Sequence, residues 1–151
     1  MHKLVYVCLV LALLPTGCDS HEAKATPTAP KVVQKSSTDD DKALCVQVFT
    51  RARACTDDYI PALVDSRAKL DTPAGIAAKV AADRAAVIAE AKQEWTQDST
   101  DAAISGNCDQ MVASLTDEDR AMSDTARSCI AKDCAGFTAC ITPLFEKHLH
   151  K

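Results

Sequence analysis

The sequence predicts an all-α fold, a small disulfide-stapled bundle of about five or six helices, and three observations carry that expectation. No stretch alternates apolar and polar residues for long, and the Asn-Gly and Asp-Gly hairpin pairs are missing, so the period-two signature of strands is absent. Apolar residues recur instead at helical spacing, behind capping residues and between prolines. The third observation is a thin core. Beyond residue 42 the aromatic residues are Phe49, Tyr59, Trp95, Phe137 and Phe145, while alanine is abundant and Cys45, Cys55, Cys108, Cys129, Cys134 and Cys140 share the same stretch. A domain of about 110 residues buries only about 60–70% of its unfolded surface. Disulfides suit that setting, typically adding ~2–4 kcal/mol each.

Each element follows from its own cap and period. Thr38 with Asp41 is a variant of the capping box, with Asp where Glu or Gln is usual. The helix it opens, over residues 41–55, places Cys45, Val48, Phe49, Ala52 and Cys55 on one face. Asp58 is the expected cap of the second helix, because Pro61 then falls in the first turn, where its missing N–H costs nothing. Ile60, Leu63, Val64 and Leu70 should face inward. Thr72-Pro73 reads as a cap followed by proline at the first helical position. An alanine-rich helix then runs to Gln97, with Ile76, Val80, Val87, Ala91 and Trp95 on one side and Trp95 read as core.

Ser105-Gly106-Asn107 is expected to interrupt the next stretch, leaving a short helix over 100–105 and another from Cys108 to Leu115 with Met111, Val112 and Leu115 inward. Thr116 with Asp119 repeats the capping pattern before a helix whose face carries Met122, Ala126, Cys129 and Ile130. Asp133 caps the last helix, where Phe137, Cys140, Ile141, Leu144, Phe145 and His148 recur at helical spacing. Pro143 is expected to kink that helix near residue 140 or to end its first part there.

Helix geometry limits how the six cysteines pair. Cys45 and Cys55 stand about 15 Å apart along one helix, and Cys134 and Cys140 about 9 Å apart, whereas bridged Cα atoms lie within roughly 7 Å. Connectivities containing either pair therefore drop out. Three bridges between helices are expected, the first helix being tied to later elements, above all to the region from Cys129 to Cys140. No spacing matches the C-x2-C of zinc sites or the C-x-x-C of redox motifs.

Residues 1–17 have the layout of an export signal, with Lys3 ahead of an apolar run from Leu4 to Leu14 and small residues at Thr16 and Gly17. That run is too short to span a bilayer, which takes about 20 residues. Leu14-Pro15-Thr16-Gly17-Cys18 resembles the lipobox of bacterial lipoproteins, with Pro15 standing where a leucine is usual. The resemblance implies cleavage before Cys18, its acylation, and attachment to a lipid bilayer through that residue. Cysteine parity agrees: Cys8 leaves with the signal, Cys18 is consumed by lipid, and an even set of six remains. Asp19 resembles the inner-membrane retention signal of enterobacterial lipoproteins. Residues 18–41 then form the lipidated N-terminus and a flexible tether reaching on the order of 25 Å. Residues 42–151 form the helical, disulfide-bonded domain.

Removing residues 1–17 takes away one charge, Lys3, and leaves 16 Lys+Arg against 21 Asp+Glu, a net charge of −5. Basic residues are dispersed among acids, so the stripe needed for nucleic acid is missing. No G-x-S-x-G, H-E-x-x-H or glycine-rich phosphate loop occurs; no catalytic residue, metal or cofactor is expected, and the chain reads as a non-enzyme. His148 and His150, with Lys147 and Lys151, suit the negative end of a helix, as Asp39-Asp40-Asp41 and Asp117-Glu118-Asp119 suit positive ends. His21 falls in the tether. The functional expectation is an envelope lipoprotein, facing the periplasm or exterior, that binds an envelope protein through a groove between helices or the outer face of the third helix. In plan it resembles secretin-guiding pilotins, other small helical accessory lipoproteins, and immunity or exclusion lipoproteins. The alternative is a Cys/His metal-binding or redox protein.

Overall fold

The computed structural model describes residues 38–149. Its helices are α1 (Thr38–Ala54), α2 (Thr56–Leu70), α3 (Ile76–Asp98), α4 (Asp101–Ala113), α5 (Asp117–Ala121), α6 (Ser123–Ile130) and α7 (Cys134–Leu149), with no strand among the described residues. The all-α, disulfide-stapled bundle is thus the fold. Residues 1–17, where an export signal is expected, and Cys18, His21 and His150 lie outside the described residues.

Several boundaries differ from expectation. α1 starts at Thr38, three residues before the expected 41. α2 opens at Thr56 instead of after Asp58, because Cys55 already supplies its carbonyl to the N–H groups of Asp58 and Tyr59. Pro61 therefore sits inside α2, forfeiting one bond to the carbonyl of Asp57. Thr72-Pro73 does not open α3. Asp71 ends α2 in the left-handed conformation, φ 46°, and its Oδ1 reaches forward to accept from the N–H groups of Gly75 at 2.9 Å and Ala77 at 3.0 Å. Those bonds, Ala77 first, hold the Asp71 carboxyl below the usual carboxylate range.

α3 breaks helical geometry at Asp83 (φ −154°, ψ 85°) and restarts there, with Asp83 Oδ1 accepting from Ala86 N at 2.9 Å. α4 is one helix, not two. Thr100 caps it, accepting from Ala103 N, and Ile104, Cys108 and Val112 are buried along one face. Their burial outweighs the ~1 kcal/mol that Gly106 costs in mid-helix. Conversely, the helix expected after Thr116 is split at Met122 into α5 and α6, although the Thr116–Asp119 capping box forms as expected. Asp133 caps α7, accepting from Gly136 N at 2.8 Å. Pro143 does not end α7: it is exposed, while Ile141 behind it and Leu144 and Phe145 beyond it join the core cluster.

The core is built by α1, α2, α6 and α7, with α3 laid on α2 and α4 on α1. Phe137 is fully buried, in one core cluster with Val48, Ala52, Tyr59, Ile60 and Val64. The thin core is compensated by aromatic contacts: the Tyr59 ring lies 5.8 Å from Trp95, 6.3 Å from Phe137 and 6.4 Å from Phe145. Burial pushes the Tyr59 hydroxyl up to about 12, against a smaller opposing pull from Arg67.

The three disulfides are Cys45–Cys108, Cys55–Cys134 and Cys129–Cys140, with Cα separations of 5.8, 5.1 and 5.5 Å. All join different elements, and both pairs excluded by helical rise are absent. Cys55 meets the start of α7, as expected for the first helix. Cys45 instead goes to α4. Ten positions separate Cys45 from Cys55, about 15 Å along α1, and set Cys45 alongside Cys108.

Candidate functional site

One apolar groove stands out on the bundle. Leu44, Val48 and Phe49 of α1 and Ile141, Leu144 and Phe145 of α7 line it, enclosing about 130 Å³ together with the end of α4 and the α5–α6 segment. Met111 and Leu115 come from the α4 side, and Met122 and Ala126 from the other. Leu44, Val48 and Ile141 are buried and make its base. Met111, expected to face inward, is the exposed large apolar side chain among the described residues, at 39%. The chain has three methionines, Met1, Met111 and Met122. Met111 and Met122 both line this groove. Methionine is unbranched and polarizable, and it suits surfaces that adapt to an apolar ligand.

Polar contacts fix one end of the groove. Asp41, 1% exposed at its side chain, accepts from Arg120 Nε at 3.1 Å, and Arg120 also reaches Asp117 Oδ1 at 3.4 Å. This bond ties α5 to the first turn of α1, so Asp41 does more than complement a helix dipole. Asp119 Oδ2 accepts from the backbone N and hydroxyl of Thr116 at 2.9 and 2.7 Å. Lys42 pairs with Asp109 at 2.6 Å beside them. The Cys45–Cys108 bridge holds α4 against α1, and Cys45 itself lines the groove.

The other sequence candidates have structural roles. All six domain cysteines are joined in disulfides, so the oxidised chain offers no thiolate from them to a metal or a redox partner. Among the described residues no three His, Cys, Asp or Glu side chains are grouped to hold a metal ion. Nor is any helix there long and apolar enough to cross a membrane. Trp95 is partly buried against the core: its Nε1 donates to Thr56 Oγ1 at 3.2 Å, and its ring lies 6.3 Å from that of Phe49.

α3 has no buried residue. Polar pairs fasten it to α2: Arg84 donates to both Asp65 oxygens at 2.7 Å, and Lys92 pairs with Asp57 at 2.6 Å. Hydrogen bonds from these two cations hold the carboxyls of Asp65 and Asp57 below the usual carboxylate range. A second, more open hollow is lined by Val46, Thr50, Ile130 and Arg51, whose Nη2 donates to Lys132 O at 2.5 Å.

The groove is the feature that sequence periodicity misassigned. Its signal in the chain was the placing of Met111, Leu115 and Met122 around the Thr116 cap, where the turn carries α5 away from α4 and leaves apolar side chains uncovered. No protein-family model, curated protein or solved structure matches the chain.

Proposed function

We propose that the chain is a bacterial envelope lipoprotein, anchored through acylated Cys18, that acts as a non-enzymatic docking module for an envelope protein. The groove between α1, α4 and α7 is the docking site, and its occupant is an apolar segment of that protein. One observation carries this reading: both methionines beyond the export signal, with Leu115 between them, line an open apolar groove whose two sides are fixed by a disulfide and by the Asp41–Arg120 pair. Exposed apolar surface in a folded domain commonly marks an interaction site. The lipobox supplies the location. A two-chain or three-chain lipid anchor holds a protein stably at a bilayer, at about 0.8 kcal/mol per buried methylene, and places the groove where envelope proteins are the neighbours.

A photo-crosslinking residue at Leu115 in the native envelope tests the docking site, with the same residue at exposed Gln93 of α3 as control. A discrete protein adduct should form from position 115, fail to form from 93, and diminish in a Met111→Gln background. Absence of an adduct from 115, or an identical adduct from 93, would refute the reading. Intact mass of the mature N-terminus tests the anchor: an unmodified Cys18 rules it out.

A further inference from the structure

We propose that Cys55–Cys134 is a redox-active bridge, opened by an external dithiol while Cys45–Cys108 and Cys129–Cys140 stay closed; it stands apart from the docking reading above. Position comes first. Cys55 is the N-cap of α2 and Cys134 the first residue of α7, so both sulfurs of this bridge sit at helix N-termini. The other four bridged cysteines do not. Cys45, Cys108 and Cys140 lie inside α1, α4 and α7, and Cys129 is next to last in α6, at the end where a helix disfavours negative charge. A thiolate is favoured at a helix N-terminus, and a sulfur that departs as a favoured thiolate departs faster.

Access and neighbouring charge then set the direction. Cys134 is half-buried whereas Cys55 is 2% exposed, so a nucleophile reaches Cys134 Sγ and Cys55 is the leaving group. An N-cap side chain is the one placed to accept from the first N–H groups of a helix, and oxidised Cys55 makes no such bond. At α7 that place is taken by Asp133, which accepts from Gly136 N and works against a thiolate on Cys134. Arg51 stands one turn before Cys55, whose N–H donates to Arg51 O at 3.0 Å, and Arg51 Nη2 donates to Lys132 O, two residues before Cys134. Arg51 Nε is buried without an acceptor. As the i, i+4 neighbour of Arg51, a Cys55 thiolate gives that donor an acceptor and the guanidinium a counter-charge. Asp57 and Asp58 in the first turn of α2 oppose it, Asp57 being paired with Lys92.

The step is a dithiol–disulfide exchange. One thiolate of the dithiol attacks Cys134 Sγ, a new S–S bond forms there, and the Cys55–Cys134 bond breaks with its electron pair on Cys55. The second thiol attacks the mixed disulfide and releases Cys134; two electrons and two protons have passed to the chain, and the dithiol leaves as a disulfide. Cys45–Cys108 joins α1 to α4 and Cys129–Cys140 joins α6 to α7, so Cys55–Cys134 is the bridge that ties α7 to the corner between α1 and α2. Opening it leaves that junction to noncovalent contacts, Phe137 against Tyr59 among them.

The test uses the chain as the cell makes it, in detergent, with limiting dithiothreitol as the dithiol, alkylation at successive times and peptide mapping. Cys55 and Cys134 should become alkylated at least about tenfold faster than Cys45, Cys108, Cys129 and Cys140. Simultaneous opening of all three bridges, or earlier opening of either of the others, overturns the proposal. With glutathione as a monothiol, the trapped mixed disulfide should sit on Cys134 and leave Cys55 to be alkylated; glutathione on Cys55 overturns the assignment of the leaving group. Arg51→Gln should slow the opening of Cys55–Cys134 about fivefold and leave the other two rates unchanged. Faster opening in that variant would make Arg51 a structural clasp and overturn its part in the exchange. The rates of the unsubstituted chain decide the proposal whether or not the variant folds.

Discussion

The packed centre of α1, α2, α6 and α7 and the α3 helix are held by different forces. In the centre Phe137, Cys129 and Ile141 are essentially inaccessible to water, and the Cys55–Cys134 and Cys129–Cys140 bridges cross it. α3 buries no residue fully and relies on Trp95, partly buried Val87, Ile88 and Ala91, and exposed pairs from Arg84 and Lys92. The contrast shows where a small chain with few aromatics concentrates its stability. The disulfides and the fully buried side chains are gathered in the other helices, and the alanine-rich helix is left to partly buried contacts through Trp95 and to ion pairs that solvent weakens. A face meant to hold its shape before a partner arrives belongs on the first region, not the second.

The widest break in that contrast should come from the covalent side. Cys55→Ser with Cys134→Ser opens a bridge with a sequence separation of 79, and restriction of a loop that long accounts for about 4 kcal/mol in the chain-entropy account. Urea unfolding without reductant should show that loss; a change below about 1 kcal/mol would mean that the bridge is incidental. Core packing comes next. Phe137→Ala should cost about 3–5 kcal/mol, and Val87→Ala on α3 well under half of that, because α3 can relax toward solvent. Equal losses would contradict the difference between the regions.

Titration separates the regions at both ends of the pH scale. Tyr59 has its folded value raised to about 12 by burial, so its contribution is fully present below the ordinary tyrosine value of about 10 and is lost as pH rises toward the folded one. Stability should fall by on the order of 2 kcal/mol across that window. The chain's other tyrosine is Tyr6, so tyrosinate absorbance of a Tyr6→Phe chain reads Tyr59 directly; ionisation at the ordinary value in the folded chain would contradict its place in the core. On the acid side Asp57 and Asp65 have lowered folded values. Their help to α3 is present above the ordinary carboxylate value of about 3.9 and disappears as pH falls through the lower folded values. Emission from Trp95, the chain's only tryptophan, should shift to the red there while the disulfide-tied helices keep their circular dichroism. A simultaneous loss of both signals would show that α3 is not the weaker element.

Local signals in the chain were legible and non-local ones were not. The Thr116–Asp119 box and the Asp133 cap form as read, because a cap is decided within four residues. The break expected at Ser105-Gly106-Asn107 is overridden by burial of Ile104, Cys108 and Val112 against α1, which no window of sequence contains. Helical rise excluded two cysteine pairs correctly, yet the partner of Cys45 depended on where α4 lies. Asp71 is a similar case: its cap on α3 depends on a left-handed residue and a turn around Thr72-Pro73. The groove was least legible of all, being a space between five helices that periodicity alone filled with Met111.

That space gives the most direct test of the central claim, that the stapled region and not α3 presents the docking surface. With methionine methyl groups labelled, Met111 and Met122 of the chain's three methionines report on the groove, because both line it. Adding the protein that crosslinks to position 115 should shift both resonances and leave the alanine methyls of Ala85 and Ala86 on α3 in place. Shifts at Ala85 and Ala86 with Met111 and Met122 unmoved would contradict the account.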